Sequence, residues 1–303
     1  MKRILITGGT GFVGRSMLDY RLRHCERGYS EWVIVSRSPD SFIASFPQFS
    51  NLPGVRFVSG DVLRENIVSL DSTVGDIDAI IHAAALLSPY EDDDKILDTA
   101  TEGTKNIILL AKRFSCRKIL FTSSGAIYGS QESAVDETAP CNPITPYGKG
   151  KLIAERMLED SGLDVKLARC FAFVGPHLNR RIYYAIGNFM QNCIDGKSIV
   201  INGDGTPLRS YLYADDLVEW LFAILERGEN GRPYNVGSDY ALSIRELAEM
   251  VRSVLGSKSE IVVKCKPTPG AIPSVYVPIV DRAVHELNLK VKVGLEQAIL
   301  QSI

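Results

Sequence analysis

The feature that most narrows what this chain can fold into is a glycine-rich turn, Thr7-Gly8-Gly9-Thr10-Gly11-Phe12-Val13-Gly14, between the apolar run 3–6 and a helical pattern. Glycines let a backbone leave a strand, turn sharply and enter a helix while lying close to a ligand. The N–H groups and positive dipole end of that helix then meet negative charge. A tight turn without ligand is the alternative, but strand, loop and helix stand in the order that dinucleotide binding requires. Gly8, Thr10, Gly11, Phe12, Val13 and Gly14 are therefore expected to cradle a dinucleotide pyrophosphate.

The rest of the first half agrees with that architecture. Apolar runs of strand length at 3–6, 32–35, 55–58, 79–81, 119–121 and 165–167 alternate with helical periodicity, including 11–24, 95–114 and 147–160. Such runs are the pattern of an α/β fold, a Rossmann-type doubly wound parallel sheet whose strands are buried on both faces. After about residue 170 the order becomes less regular. Helices are expected at 183–195, 215–227 and 243–255, the last with a Ser243/Glu246 capping box, and short strands at 199–201, 211–213 and 261–263. The chain thus divides into a dinucleotide-binding domain, 1–170, and a smaller C-terminal α/β lobe, 171–303, with a segment near 205–235 returning to the first domain.

Composition excludes several classes. With 303 residues, 45% of them hydrophobic, the chain can bury a full core, and a formal charge of −2 without a basic stripe disfavours nucleic acid as a partner. No apolar run approaches the roughly 20 residues of a membrane span, and the N-terminus lacks a secretory pattern, so a cytoplasmic location is expected. The six cysteines lie far apart without a Cys-x-x-Cys pair, which suggests reduced, mostly buried thiols and no metal site.

The end of the second strand selects the dinucleotide. An acidic residue there would bind ribose hydroxyls; this chain has Ser36-Arg37-Ser38, which favours NADP over NAD. A solvated surface charge, or stacking on the adenine, is the alternative for Arg37.

Of the twelve tyrosines only Tyr147 has a lysine four residues later, Lys151, so the two share a helix face. Pro146 suits a helix start and places Tyr147 in the first turn. An ammonium and a positive helix end both favour phenolate, so a lowered tyrosine pKa is expected. Such a phenol can give or take the proton of a carbinol as hydride moves. Alone the pair is as readily a surface coincidence. It follows, however, a fifth strand ending in the hydroxyl-rich loop 121–129, where Ser124 is placed to hydrogen-bond a reacting oxygen.

The blocks 7–14, Gly60-Asp61, His82-Ala83-Ala84-Ala85, Gly103-Thr104, 123–129, 147–151, 169–176, 203–216 and 234–237 together resemble the extended short-chain dehydrogenases/reductases, specifically the nucleotide-sugar epimerases, dehydratases and reductases. The resemblance spans nearly the whole chain. It implies that Ser124 orients the substrate oxygen, that Tyr147 is the acid/base, and that Lys151 tunes it and bonds the nicotinamide ribose. It further implies that Asp61 and Val62 contact the adenine and that Ala83 and Ala84 line the cofactor, although Asp61 fits a helix-capping role equally well. His82 reads as a buried strand-end residue.

Departures from the family narrow the reaction. Dehydratases of this group follow the serine or threonine with Asp and Glu, and here Gly125 and Ala126 stand there. Epimerase-reductases of the fucose-synthase kind carry a cysteine at the place of Ala126. What remains is NADPH reduction of a nucleotide-linked 4-keto-6-deoxy sugar, or 4-epimerisation on tightly held NAD; Arg37 tilts the reading to the reductase. A dinucleotide-sensing scaffold without chemistry is a third reading, disfavoured by the intact Ser124, Tyr147 and Lys151. Arg209 resembles the family's nucleotide-phosphate contact, with a surface ion pair as its alternative. No cation stands in 268–278, and Arg180 or Arg181 is the expected compensation, in a segment that also offers Tyr183, Tyr184 and Asn188. An amphipathic helix with aromatic core contacts is the other reading of that segment. Ala100 and Ala172 stand where asparagine is common. A homodimer through the helices at 95–114 and 152–158 is expected, although burial within one copy explains many of the same residues.

Overall fold

The computed structural model describes residues 2–24, 28–64, 67, 75–86, 92–181 and 184–303. Six strands, β1 (Arg3–Thr7), β2 (Glu31–Ser36), β3 (Val55–Ser59), β4 (Ala79–His82), β5 (Lys118–Ser124) and β6 (Asp164–Cys170), join Pro233–Val236 in one sheet. Every neighbouring pair is parallel, in the order Pro233–Val236, β6, β5, β4, β1, β2, β3. The chain moves outward one way through β2 and β3 and the other way through β5 and β6. The switch point, where ligands of doubly wound folds bind, therefore lies between the carboxyl ends of β1 and β4.

The two-residue period of a strand explains why these runs are apolar throughout. Ile4, Ile6, Trp32, Ile34, Ala79, Ile81 and Leu120 enter one core, whereas Leu5, Val33, Val35, Ile80, Ile119 and Phe121 enter the other. The first core is covered by α1 (Phe12–Arg23), through Met17 and Leu18, and by the helix Ala214–Arg227, through Leu217 and Leu221. The second lies under α3 (Asp93–Arg113) and α4 (Pro146–Glu159), through Ile107, Leu110, Ala154 and Leu158. α2 (Pro39–Ser45) follows β2.

A third core belongs to the second half: Ile186, Phe189 and Met190 pack with Ile199, Ile201, Leu247, Val251 and Ile299. The strand expected at 211–213 is the shorter Leu212–Tyr213, which pairs with Phe173–Val174. The helix expected from residue 183 is Ala185–Ile194; Tyr183 and Cys25 lie outside the described residues. The helix Ile244–Val254 carries the expected capping box, with Ser243 and Glu246 each accepting from the other's backbone. Of the five described cysteines, Cys116, Cys170 and Cys193 are buried, Cys141 is half-buried and Cys265 is exposed.

Candidate active site

The glycine loop is built for close approach. A side-chain carbon on Gly8, whose φ is +70°, would lie 2.4 Å from the Ala83 carbonyl oxygen at the end of β4. One on Gly14 would lie 2.2 Å from the Gly9 Cα, so the first turn of α1 presses directly on the loop. Gly11 caps α1 without a side-chain partner, and no acidic residue neutralises the first turn. The positive end of α1 is thus left for a ligand's negative charge, and the residues present fit a dinucleotide pyrophosphate.

Behind the loop runs a directed hydrogen-bond chain. Thr104 Oγ1 donates to the Ala100 carbonyl at 2.6 Å, which leaves it to accept from His82 Nε2 at 3.2 Å. His82 Nδ1 then accepts from Thr7 Oγ1 at 2.8 Å, and Thr7 Oγ1 accepts from the Ala84 N–H at 3.4 Å. Burial, with the Lys151 charge second, drives the His82 pKa down to about 3, so this imidazole is a neutral strut. Ser36 is buried and its hydroxyl accepts from the Ser38 N–H at 3.2 Å; Arg37 is exposed and has no carboxylate partner among the described residues. Asp61 accepts from the Leu63 N–H at 3.0 Å, closing a local turn, and Val62 is held by Asn106 through its carbonyl at 2.8 Å.

Ser124, Tyr147 and Lys151 converge. Ser124 ends β5, and its hydroxyl accepts from the Ala126 N–H at 3.1 Å. Thr145 caps α4 through the Gly148 N–H at 3.1 Å and Pro146 opens it, so Tyr147 stands in the first turn, where the Ser124 hydroxyl acts on its phenol. Lys151 is 2% exposed; its ammonium donates to the Thr122 carbonyl at 2.7 Å and lies 5.8 Å from the Tyr147 ring centroid. Burial pulls the Lys151 pKa down to about 8, opposed by Cys170 and Glu155.

One expectation is corrected here. Tyr147 is not shifted toward phenolate: burial raises its pKa above the ordinary phenol value, Tyr276, Cys170 and Tyr184 act the same way, and the Ser124 hydrogen bond opposes them. Loss of hydration outweighs the nearby ammonium, so the phenol is held in its neutral form.

Three features have no counterpart in the reading from sequence. Glu155, one turn beyond Lys151, makes a two-pronged buried ion pair with Arg169 at 3.2 and 2.9 Å, an extension of the Tyr147/Lys151 spacing that the sequence does display. Phe171 fills the space beside Gly125, where an added Cβ would meet its ring at 2.8 Å. Tyr276 arrives from the second half of the chain, its ring against that of Phe171 with centroids 4.9 Å apart, and no local pattern announces it.

The expected substrate residues are placed unequally. Arg209 donates to the carbonyls of Leu208 at 2.7 Å and Ser274 at 3.2 Å, and its guanidinium lies 5.9 Å from the Tyr276 ring centroid. No carboxylate pairs with it among the described residues. Arg180 instead donates to the Ser302 carbonyl near the C-terminus. Asn188 lies in the first turn of the helix Ala185–Ile194. A Cβ on Gly150 would lie 2.8 Å from the Ala100 Cβ, so the glycine of α4 and the small alanine of α3 let the two helices touch. Among the described residues no cluster of His, Cys, Asp or Glu is arranged to hold a metal.

Fold and site together define a dinucleotide-binding enzyme of the extended short-chain dehydrogenase/reductase type. The sequence profile of the NAD dependent epimerase/dehydratase family matches residues 4–237, and the chain belongs to that family. It is 31% identical over 315 residues to UDP-glucuronic acid decarboxylase 1 of Arabidopsis thaliana, covering 98% of this chain and 68% of that protein. It is 26% identical over 321 residues to the dTDP-D-glucose 4,6-dehydratase of Mus musculus, covering 100% and 88%. Among solved structures, a UDP-glucose 4-epimerase of Thermotoga maritima with UDP-glucose superposes with a TM-score of 0.86 at 24% identity, covering 99% and 97%. A dTDP-glucose 4,6-dehydratase of Streptomyces venezuelae with NAD and TYD bound superposes with a TM-score of 0.85 at 24% identity, covering 99% and 95%; both establish the fold.

Proposed function

We propose that this enzyme transfers hydride at C4 of a nucleotide-activated sugar, in the reductive direction, converting a 4-keto-6-deoxy sugar nucleotide to its carbinol with NADPH. A bound nicotinamide supplies the hydride to C4; the chain handles the proton. Tyr147 donates its phenolic proton to the C4 oxygen as negative charge develops there, Ser124 hydrogen-bonds the same oxygen, and the Lys151 ammonium stabilises the phenolate left behind. The observation that carries the reading is the buried Lys151 ammonium 5.8 Å from the Tyr147 ring centroid in the first turns of α4, which puts a cation beside a phenol that can give up its proton. Gly125, backed by the Phe171 ring, and Ala126 offer no second acid or base, which supports chemistry confined to C4. Arg37, exposed without a carboxylate partner, supports NADP. Arg209 supports the substrate diphosphate better than Arg180, whose guanidinium already serves Ser302. We assign dinucleotide binding to residues 1–170 with the return near 205–235, substrate binding mainly to 171–303, and place the enzyme in the cytoplasm as a homodimer.

The same three residues suit a 4-epimerase that retains NAD, and the similar fold of a UDP-glucose 4-epimerase favours that second reading. Mass spectrometry of the copurifying dinucleotide, followed by NADPH consumption with 4-keto-6-deoxy sugar nucleotides, separates the two. Reduction is expected to fall about 10²- to 10⁴-fold in Tyr147→Phe. Retained NAD with interconversion of C4 epimers, and no net consumption, would replace the first reading with the second.

A further inference from the structure

The ends of β1 and β4 stay joined past their last strand pair, Thr7 with His82. The Ala83 N–H donates to the Thr7 carbonyl at 3.2 Å, and the next amide, that of Ala84, donates to the Thr7 hydroxyl at 3.4 Å. The Thr7 side chain thus does for residue 84 what a backbone carbonyl does for residue 83. It extends the ladder to the place where the Ala83 carbonyl lies so close to Gly8 that a Cβ there would meet it at 2.4 Å. That crossing bounds the crevice at the switch point, so the crevice depends on which way one buried hydroxyl points.

His82 decides that direction. Thr7, His82 and Thr104 are each 0% exposed, and each ring nitrogen faces a threonine hydroxyl: Nδ1 lies 2.8 Å from Thr7 Oγ1 and Nε2 lies 3.2 Å from Thr104 Oγ1. Thr104 Oγ1 and the Ala100 carbonyl oxygen are 2.6 Å apart, which requires a proton between them, so the Thr104 proton is committed there and Nε2 must bring its own. Complete burial, with the Lys151 charge second, keeps the ring neutral and leaves Nδ1 bare to take the Thr7 proton. The imidazole also lines a small space together with Tyr147 and Lys151 and lies beside the Phe121 ring, centroids 5.5 Å apart. With both nitrogens engaged it has neither a lone pair nor a proton to offer there, which separates it from acid/base work. We infer that His82 is a positioning residue of the dinucleotide site: by holding the Thr7 proton it fixes the Thr7 hydroxyl as acceptor for Ala84, and so ties α3, through Thr104, to the glycine loop. The inference rests on dinucleotide binding at the switch point and not on the reaction proposed at C4.

The test uses the full chain freed of copurified dinucleotide. ¹⁵N NMR of the histidine-labelled enzyme, with His82 identified as the ring whose shifts respond to Thr7→Val, is expected to show Nε2 protonated and Nδ1 bare. Thr104→Val keeps the shape but removes the acceptor, so it should release that choice and bring a protonated Nδ1 into view. Calorimetric titration with NAD and with NADPH then reads the consequence. Thr7→Val is expected to weaken both dinucleotides about five- to tenfold, the worth of one hydrogen bond, while Thr7→Ser, which restores the hydroxyl, binds them as wild type does. Thr104→Val should weaken both as well, yet add nothing in the Thr7→Val background, because its effect passes through that hydroxyl. A protonated Nδ1 in the wild type, unchanged affinities in Thr7→Val, or effects of the two valines that simply add would each overturn the inference. A wild type that binds dinucleotide but reduces no sugar nucleotide would reject the C4 reaction alone and leave His82 in this role.

Discussion

At the scale of single residues, the site is governed by what burial does to charge. Lys151 is folded into a place where its ordinary pKa of 10.5 falls to about 8. A lysine with a depressed folded pKa has full stability above its unfolded pKa and loses it as pH falls through the folded value, so the loss here develops between about 10.5 and 8. Below that window the buried charge costs on the order of 3 kcal/mol. Lys151→Met is therefore expected to unfold at a higher temperature than wild type at pH 7, with the advantage shrinking toward pH 10.5, while losing activity. Calorimetry across that range checks it; equal melting temperatures at pH 7 would show that the ammonium is not strained. The Tyr147/Lys151 pair was legible from its spacing because a helix places i and i+4 on one face. The direction of the Tyr147 shift was not, because it is set first by burial and then by the charges of Tyr276, Cys170 and Tyr184, all remote in the chain.

At the scale of elements, two contacts hold the chemistry to the scaffold. Glu155 and Arg169 bind α4 to β6, and Arg169 also donates to the Tyr128 hydroxyl at 3.0 Å. Glu155→Leu leaves the buried guanidinium unpaired and should cost about 3–5 kcal/mol, read as a lowered urea midpoint. The second contact is Gly125 against Phe171. Gly125→Ala places a carbon 2.8 Å from the ring and should destabilise by about 1–3 kcal/mol, largely relieved when Phe171→Leu is added. If Gly125→Ala alone is neutral, the ring does not define that wall. The central strands were readable as apolar runs, but Pro233–Val236 was not. It begins with proline and carries Asn235 inward, where the amide donates to the carbonyls of Val135 and Ile279 and accepts from Tyr128. A polar residue in a strand becomes acceptable only through partners that tertiary contact brings.

At the scale of the whole molecule, the exposed apolar side chains Leu109 and Ile153, 49% and 40% exposed, stand on the packed helices α3 and α4 and support pairing with a second copy there. Leu109→Glu combined with Ile153→Glu should leave the fold intact and halve the mass seen by light scattering; an unchanged mass would place the contact elsewhere. Among the described residues no helix is long and apolar enough to cross a membrane. The sequence by itself determined the parallel sheet and the glycine turn at its switch point, and it singled out Ser124, Tyr147 and Lys151 as a candidate set, because each is written in local periodicity, in spacing along one element or in a family motif. Only the tertiary structure decided the burial of Tyr147, the closure of Gly125 by Phe171 and the seating of Tyr276 against that same ring. These depend on which distant segments exclude water and which hydroxyls they present, and no period along the chain encodes that.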